Sequence, residues 1–214
     1  MNIYEDYLNK LDNEILELLT LRKEFKINAK NFKVLELGGH NIEDTYISKL
    51  DDEIFNYESK NINDLYKLFN ENLKISEIYE ELNLSRLIKY SYINFLYDYC
   101  IYGDDENYEL TCKLDRDILI KLSQRVHFGY NVIKLNYLEN TNFYNKLLKS
   151  NNSTFILYYL SNFISQPTYL ELLKDKCNKY KICDILICTF YKNIILPYYN
   201  EIQLHFCNCI KKNL

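Results

Sequence analysis

The sequence predicts an all-α protein built from few, long helices. Its 214 residues include four Gly and two Pro, far too few for a β-sandwich or an open α/β nucleotide-binding fold, whose frequent turns lean on those residues for their backbone angles. Apolar residues recur at spacings of three and four over most of the chain. Pro167 and Pro197 stand where a helix could start or bend.

Taken in order, residues 3–33 place Leu8, Leu11, Ile15, Leu18, Leu19, Arg22 and Phe25 on one stripe, an amphipathic helix of about thirty residues and roughly 45 Å. Gly38-Gly39 breaks it, and Asp44 or Thr45 is positioned to cap the next helix. Residues 46–83 read as helical with interruptions near 60–63 and at Asn72, and residues 84–102 as an apolar, Tyr-rich helix. Residues 103–107, Gly-Asp-Asp-Glu-Asn, form the clearest loop. Helices are expected over 113–137, 143–149, 153–165, 167–179 and 184–212, all within a single domain spanning 1–214.

The formal charge of −4 provides no basic footprint for nucleic acid and no acidic arm. No apolar run is long enough for a membrane span, and the N-terminus does not read as a signal peptide, so the expected location is cytoplasmic. Seven scattered cysteines suit buried free thiols in a reducing compartment. Cys207 and Cys209 beside His205 invite a metal reading, but residues two apart on a helix point about 200° away from each other, so no metal is expected.

A self-comparison at a shift of 103 residues aligns 10–16, Lys-Leu-Asp-Asn-Glu-Ile-Leu, with 113–119, Lys-Leu-Asp-Arg-Asp-Ile-Leu. Without a gap, Arg22 then meets Arg125 and Phe25 meets Phe128. Apolar matches arise between any two amphipathic helices; shared Lys, Asp and Arg at fixed offsets argue for duplication, with segments of about 3–33 and 108–137 as the copies. In each copy the Arg lies on or beside the apolar stripe, where it needs an anion. Two readings stay open: a buried ion pair with an internal carboxylate, or a pocket for an anionic ligand.

These residues carry a family resemblance. Leu11-Asp12, Ile15-Leu16, Leu18-Leu19 and Arg22, with Lys33 eleven residues later, look like the opening helix of the all-helical chorismate mutases. Residues 122–129, Leu-Ser-Gln-Arg-Val-His-Phe-Gly, are similar to the S-R-R-I-H-F-G motif of the eukaryotic, duplicated branch. Residues 144–150 resemble its Y-T-K-L-I-K-S, and Ile194-Ile195-Leu196-Pro197 with Glu201 resembles its final helix. The match is strong from about Asp115 onward, moderate over 3–32 and weak between. The resemblance implies a long-helix bundle of the chorismate mutase II type, internally duplicated and homodimeric, catalysing the Claisen rearrangement of chorismate to prephenate in aromatic amino-acid biosynthesis.

That reaction is pericyclic and needs no cofactor. It needs cations that hold the two substrate carboxylates in the reactive shape and donors aimed at the ether oxygen. Carried over by resemblance, Arg125 matches a carboxylate-binding Arg, Asn162 a pocket Asn, and Gln203 the residue at the ether oxygen, where the eukaryotic branch has Glu and bacterial members Gln. Asn136 occupies the position of the catalytic Lys, Glu5 that of a first-helix Arg, Gln166 that of a pocket Glu, and Tyr199 that of a small hydroxyl residue. Each lost donor costs about 10² to 10³ in rate, against an enhancement that commonly starts near 10⁶. Lys10, Lys121 and Lys134 are the candidate substitutes, although Lys134 points away from Asn136.

The family's Gly-Ser effector pair is replaced within Asn107-Tyr108-Glu109-Leu110, and the stretch between Tyr180 and Pro197 is shorter than the family's regulatory loop, so no response to Tyr or Trp is expected. Two functions therefore stand: an isomerase with a rearranged pocket, or a catalytically inactive homologue serving as a helical dimeric binding protein. Arg125, Asn162 and Gln203 favour the first, and Glu5, Asn136 and Tyr199 the second.

Overall fold

A computed structural model describes residues 3–28, 36–37, 40–41, 82, 84–149, 156, 158–159 and 166–212. The expected elements within 46–81, most of that at 153–165, and the residues Lys33 and Asn162 lie outside the described residues. Helix α1 spans Ile3–Arg22, α2 Ser85–Tyr99, α3 Tyr108–Glu139, α4 Thr141–Lys149, α5 Gln166–Tyr180, α6 Asp184–Phe190 and α7 Leu196–Lys211. The all-α reading holds. Among the described residues there is also a two-residue antiparallel pairing, Glu36 opposite Asn41 and Leu37 opposite His40. Among the described residues, no helix is long and apolar enough to cross a membrane.

The first helix stops at Arg22, well short of the expected residue 33. Arg22 itself explains the stop, because its guanidinium donates forward to the carbonyl oxygens of Lys26 and Ile27, each at 3.0 Å, which bends the chain around the side chain. Asn28 lies in the left-handed region at φ 52°, a conformation Asn tolerates. There the Ile27 N–H donates to Ile101 O and the Asn28 N–H to Gly103 O. The periodicity beyond residue 22 is real, but a side chain that bonds its own downstream backbone overrides it.

Helix α3 starts at Tyr108, earlier than 113. Asp105 Oδ1 accepts the Asn107 N–H, and Thr111 closes the first turn onto Asn107 O. The segment expected as one helix over 184–212 is helical throughout, but Tyr191–Ile195 forms a π turn between α6 and α7. Pro197 comes two residues later, at a position where a missing N–H loosens the regular ladder.

The chain divides into two compact units, one of Met1–Asn13, Ile75–Asn83 and Arg125–Leu214, the other of Glu14–Lys74 and Leu84–Gln124. The second unit is cored by Ile15, Leu16, Leu19, Ile88, Tyr92, Leu96, Ile118 and Leu122, all buried, with Ser85 and Ser123 sharing a buried hydroxyl bond of 2.8 Å. In the first unit Leu8, Phe128, Val132 and Tyr199 form a buried cluster against which Tyr4 and Tyr7 pack. Helices α3 and α7 approach each other closely where a Cβ on Gly129 would lie 2.8 Å from the Tyr199 carbonyl oxygen. Only glycine permits that distance.

None of the seven cysteines is in a disulfide. The expectation of buried thiols holds for Cys100, Cys177 and Cys207; Cys183 is exposed and the other three are half-buried.

Candidate functional site

Asp12 and Arg22 lie ten residues, about 15 Å, apart on one helix and cannot meet. The repeat solves this by exchange. Arg125 of the second copy donates Nε–H to Asp12 at 2.9 Å in the first unit, and Arg22 of the first copy donates Nε–H to Asp115 at 2.7 Å in the second. Both guanidiniums are wholly buried. Of the two readings left open for these arginines, the buried ion pair describes both.

The two pairs differ in their remaining partners. All three nitrogens of Arg22 are engaged, by Asp115, by the Lys26 and Ile27 carbonyls and by the Cys100 sulfur at 3.6 Å. Tyr92 donates to Asp115 Oδ1 at 2.7 Å. The Arg22 guanidinium is thus closed by its own backbone, and the atom left without a partner among the described residues in this knot is the buried Asp115 Oδ2.

Around Arg125 the partners are side chains instead. Tyr169, from α5, accepts from Nη2 at 3.2 Å and donates to Asp12 Oδ2 at 2.7 Å. Tyr191, delivered by the π turn, donates to Asp12 Oδ1 at 3.2 Å. The Tyr199 ring, from α7, lies over the guanidinium with Cζ 5.1 Å from its centroid. Among the described residues Nη1 has no hydrogen-bond partner, and neither has the Tyr199 hydroxyl or Gln203 Oε1. Such orphaned buried groups are costly and rare.

Burial works against the charged Arg125, but Tyr169 and Asp12 beside it outweigh that and hold it above its ordinary pKa. Burial pushes the Tyr199 phenol up to about 12 and those of Tyr169 and Tyr191 well above their usual range. The three phenols are therefore neutral O–H donors at physiological pH. Asp12 neutralises Arg125, so the pair presents donors without net charge.

The residues expected at the site are brought together only in part. Arg125, Gly129, Val132 and Asn136 share one face of α3 by their spacing, and Tyr199 and Gln203 share one face of α7. The contacts of Tyr199 with Arg125 and Gly129, and of Phe206 with Tyr130 at 5.1 Å and Tyr137 at 6.0 Å, show that the two helices ascend in the same direction. Gln203 therefore lies one turn past Tyr199, toward the level of Asn136. Asn136 is buried. Glu5 is exposed on α1, and no described contact joins it to Arg125. Gln166 is the first residue of α5, its side chain outside the described residues. Of the substitute cations, Lys121 is paired with Glu14 at 2.7 Å in the second unit, Lys10 is exposed, and Lys134 is buried on the opposite face of α3 from Arg125, its pKa lowered by burial.

Three residues of this site carried no signal in the sequence. Tyr169 and Tyr191 read as two apolar positions among many tyrosines, and only tertiary packing turns their hydroxyls toward Asp12. Lys176, also on α5, donates to Asn9 Oδ1 at 3.2 Å and Asn9 O at 3.4 Å; burial lowers its pKa, and its charge is felt by Asp12 and Arg125.

No protein-family model matches the sequence. The chorismate mutase of Saccharomyces cerevisiae is 27% identical over 116 residues, 49% of this chain and 45% of the yeast protein, so the match spans about half of each. The chloroplast chorismate mutase of Zea mays superposes with a TM-score of 0.73 at 18% identity, covering 95% of this chain and 92% of that one. The Aro7p chorismate mutase of Candida albicans, in complex with L-Trp, superposes with a TM-score of 0.81 at 17% identity, covering 99% and 91%.

Proposed function

Proceeding from this kinship with the eukaryotic all-helical chorismate mutases, in sequence over half the chain and in fold over nearly all of it, we propose that the chain binds chorismate at Arg125 and rearranges it slowly to prephenate. The observation that carries this reading is the Nη1 of a fully buried Arg125, set under Tyr199, which together with the oxygens of Tyr199 and Gln203 on the facing helix has no partner among the described residues. A carboxylate matches the donors of Arg125 and Tyr199. The amide N–H of Gln203, not its unpartnered Oε1, is the neutral donor proposed for the ether oxygen, where charge develops as its C–O bond breaks and the new C–C bond forms. The protein supplies no nucleophile, proton or cofactor; it holds one folded conformer of the substrate.

The rate is low because the second and third cations are missing. Glu5 is exposed and anionic, Asn136 is neutral, and Asp12 cancels the charge of Arg125. Two lost donors remove about 10⁴ to 10⁶ of rate. These same observations favour the second reading, a homologue that binds a small carboxylate without rearranging it. The resemblance also leads us to read the chain as a homodimer located in the cytoplasm.

The deciding experiment is a chorismate-consumption assay on purified protein with Arg125→Ala as control, paired with calorimetric titration of chorismate. Turnover above the uncatalysed rate that the variant lacks supports the isomerase. Binding without turnover transfers the protein to the second reading, and neither binding nor turnover sinks both.

A further inference from the structure

Cys209 and His205 occupy successive turns of α7 on one side of the helix, and Cys209 Sγ lies 3.5 Å from His205 Nε2. Both are half-buried, so the pair is reachable from solvent and is held in place by the helix. Five of the other six thiols are situated differently. Cys100, Cys177 and Cys207 are buried, and burial raises their pKa values to about 11, about 12 and about 12. Cys188 donates to the Leu170 carbonyl at 3.8 Å, and Cys183 is simply exposed.

We propose that Cys209 is a histidine-activated thiol that forms mixed disulfides with small-molecule disulfides. The Cys209 proton passes to His205 Nε2, leaving a thiolate beside an imidazolium, the pairing that makes cysteines reactive. The thiolate attacks one sulfur of the disulfide, a Cys209 Sγ–S bond forms as the old S–S bond breaks, and the departing thiolate takes the proton back from His205. Cys209 is oxidised, half of the disulfide is reduced to a thiol, and no other oxidant is required. The C-terminal turn of a helix disfavours an anion, and the adjacent imidazolium is the compensation; the exposed Lys211 and Lys212 add positive charge to the same end.

The test is peptide-resolved mass spectrometry of the intact chain incubated with oxidised glutathione at neutral pH. Cys209 is expected to acquire glutathione before Cys183, although Cys183 is the more exposed. His205→Gln is expected to slow Cys209 on the order of tenfold while Cys183, the internal control for folding, keeps its rate. Modification of Cys183 ahead of Cys209, or an unchanged Cys209 rate in His205→Gln, overturns the proposal.

Discussion

Arg125 and Asp12, 113 residues apart, hold each other at 2.9 Å, and their repeat mates Arg22 and Asp115 do the same at 2.7 Å. Each copy of the repeat gives its aspartate to the other copy's arginine. The two arginines differ: Arg22 is closed by backbone carbonyls, whereas Arg125 Nη1 has no hydrogen-bond partner among the described residues.

Removing the two arginines should have unequal costs. Arg22→Ala strands Asp115, which among the described residues keeps only Tyr92 as a donor, and breaking a buried pair in this way costs about 3–5 kcal/mol. Arg125→Ala leaves Asp12 with both Tyr169 and Tyr191 and should cost less. Urea midpoints of the two variants decide the order; equal losses would contradict it.

Gly129→Ala places a methyl 2.8 Å from the Tyr199 carbonyl oxygen. The backbone there cannot rotate aside, so the helices must part at a cost of about 1–3 kcal/mol, and Tyr199 must shift on Arg125. Thermal melts should fall, and ligand affinity at Arg125 should fall with them. A variant as stable as the parent would show that the contact is not tight.

The proposed isomerase reading implies that a missing cation can be returned. Asn136→Lys places a cation on the Arg125 face of α3 and should raise kcat/KM for chorismate by about 10² to 10³. An unchanged rate in a folded variant would mean that the cation at this position is not what limits turnover.

The loop before α3 should make acid stability depend on one carboxylate. Burial opposes the charged form of Asp105, but the Lys26 N–H, the Asn28 amide and the Asn107 N–H hold its pKa down to about 2. A depressed folded value stabilises the native state above the ordinary carboxylate range, and that stability is lost as pH falls from about 4 to about 2. Asp105→Asn should flatten the stability curve in this window; an unaltered slope would assign the acid sensitivity to other groups.

Neither Tyr nor Trp is expected to raise the melting temperature, since Asn107-Tyr108-Glu109-Leu110 stands where the family resemblance leads one to look for a Gly-Ser pair. Differential scanning fluorimetry with each amino acid checks this, and a reproducible shift with either would restore an effector site.

Much of this was legible in the chain. The scarcity of Gly and Pro and the three-four spacing of Leu8, Leu11, Ile15 and Leu19 are local facts, and the helices formed where they pointed. Where helix bounds and the site differ from expectation, hydrogen bonds made in the folded state are responsible. Nothing near residue 22 announces that Arg22 will turn back on Lys26 and Ile27, and Pro197 marks a place where the helix could bend without announcing that a π turn there carries Tyr191 to Asp12.

The sequence by itself determined the helical class, the likeness of the two Asp–Arg segments and the identity of Arg125 as the residue to watch, because periodicity and charge at fixed offsets are properties of the chain alone. Only the tertiary structure decided which aspartate meets which arginine and which guanidinium keeps an open nitrogen. Those outcomes depend on hydrogen bonds between residues far apart in sequence, whose geometry exists only once the helices have packed.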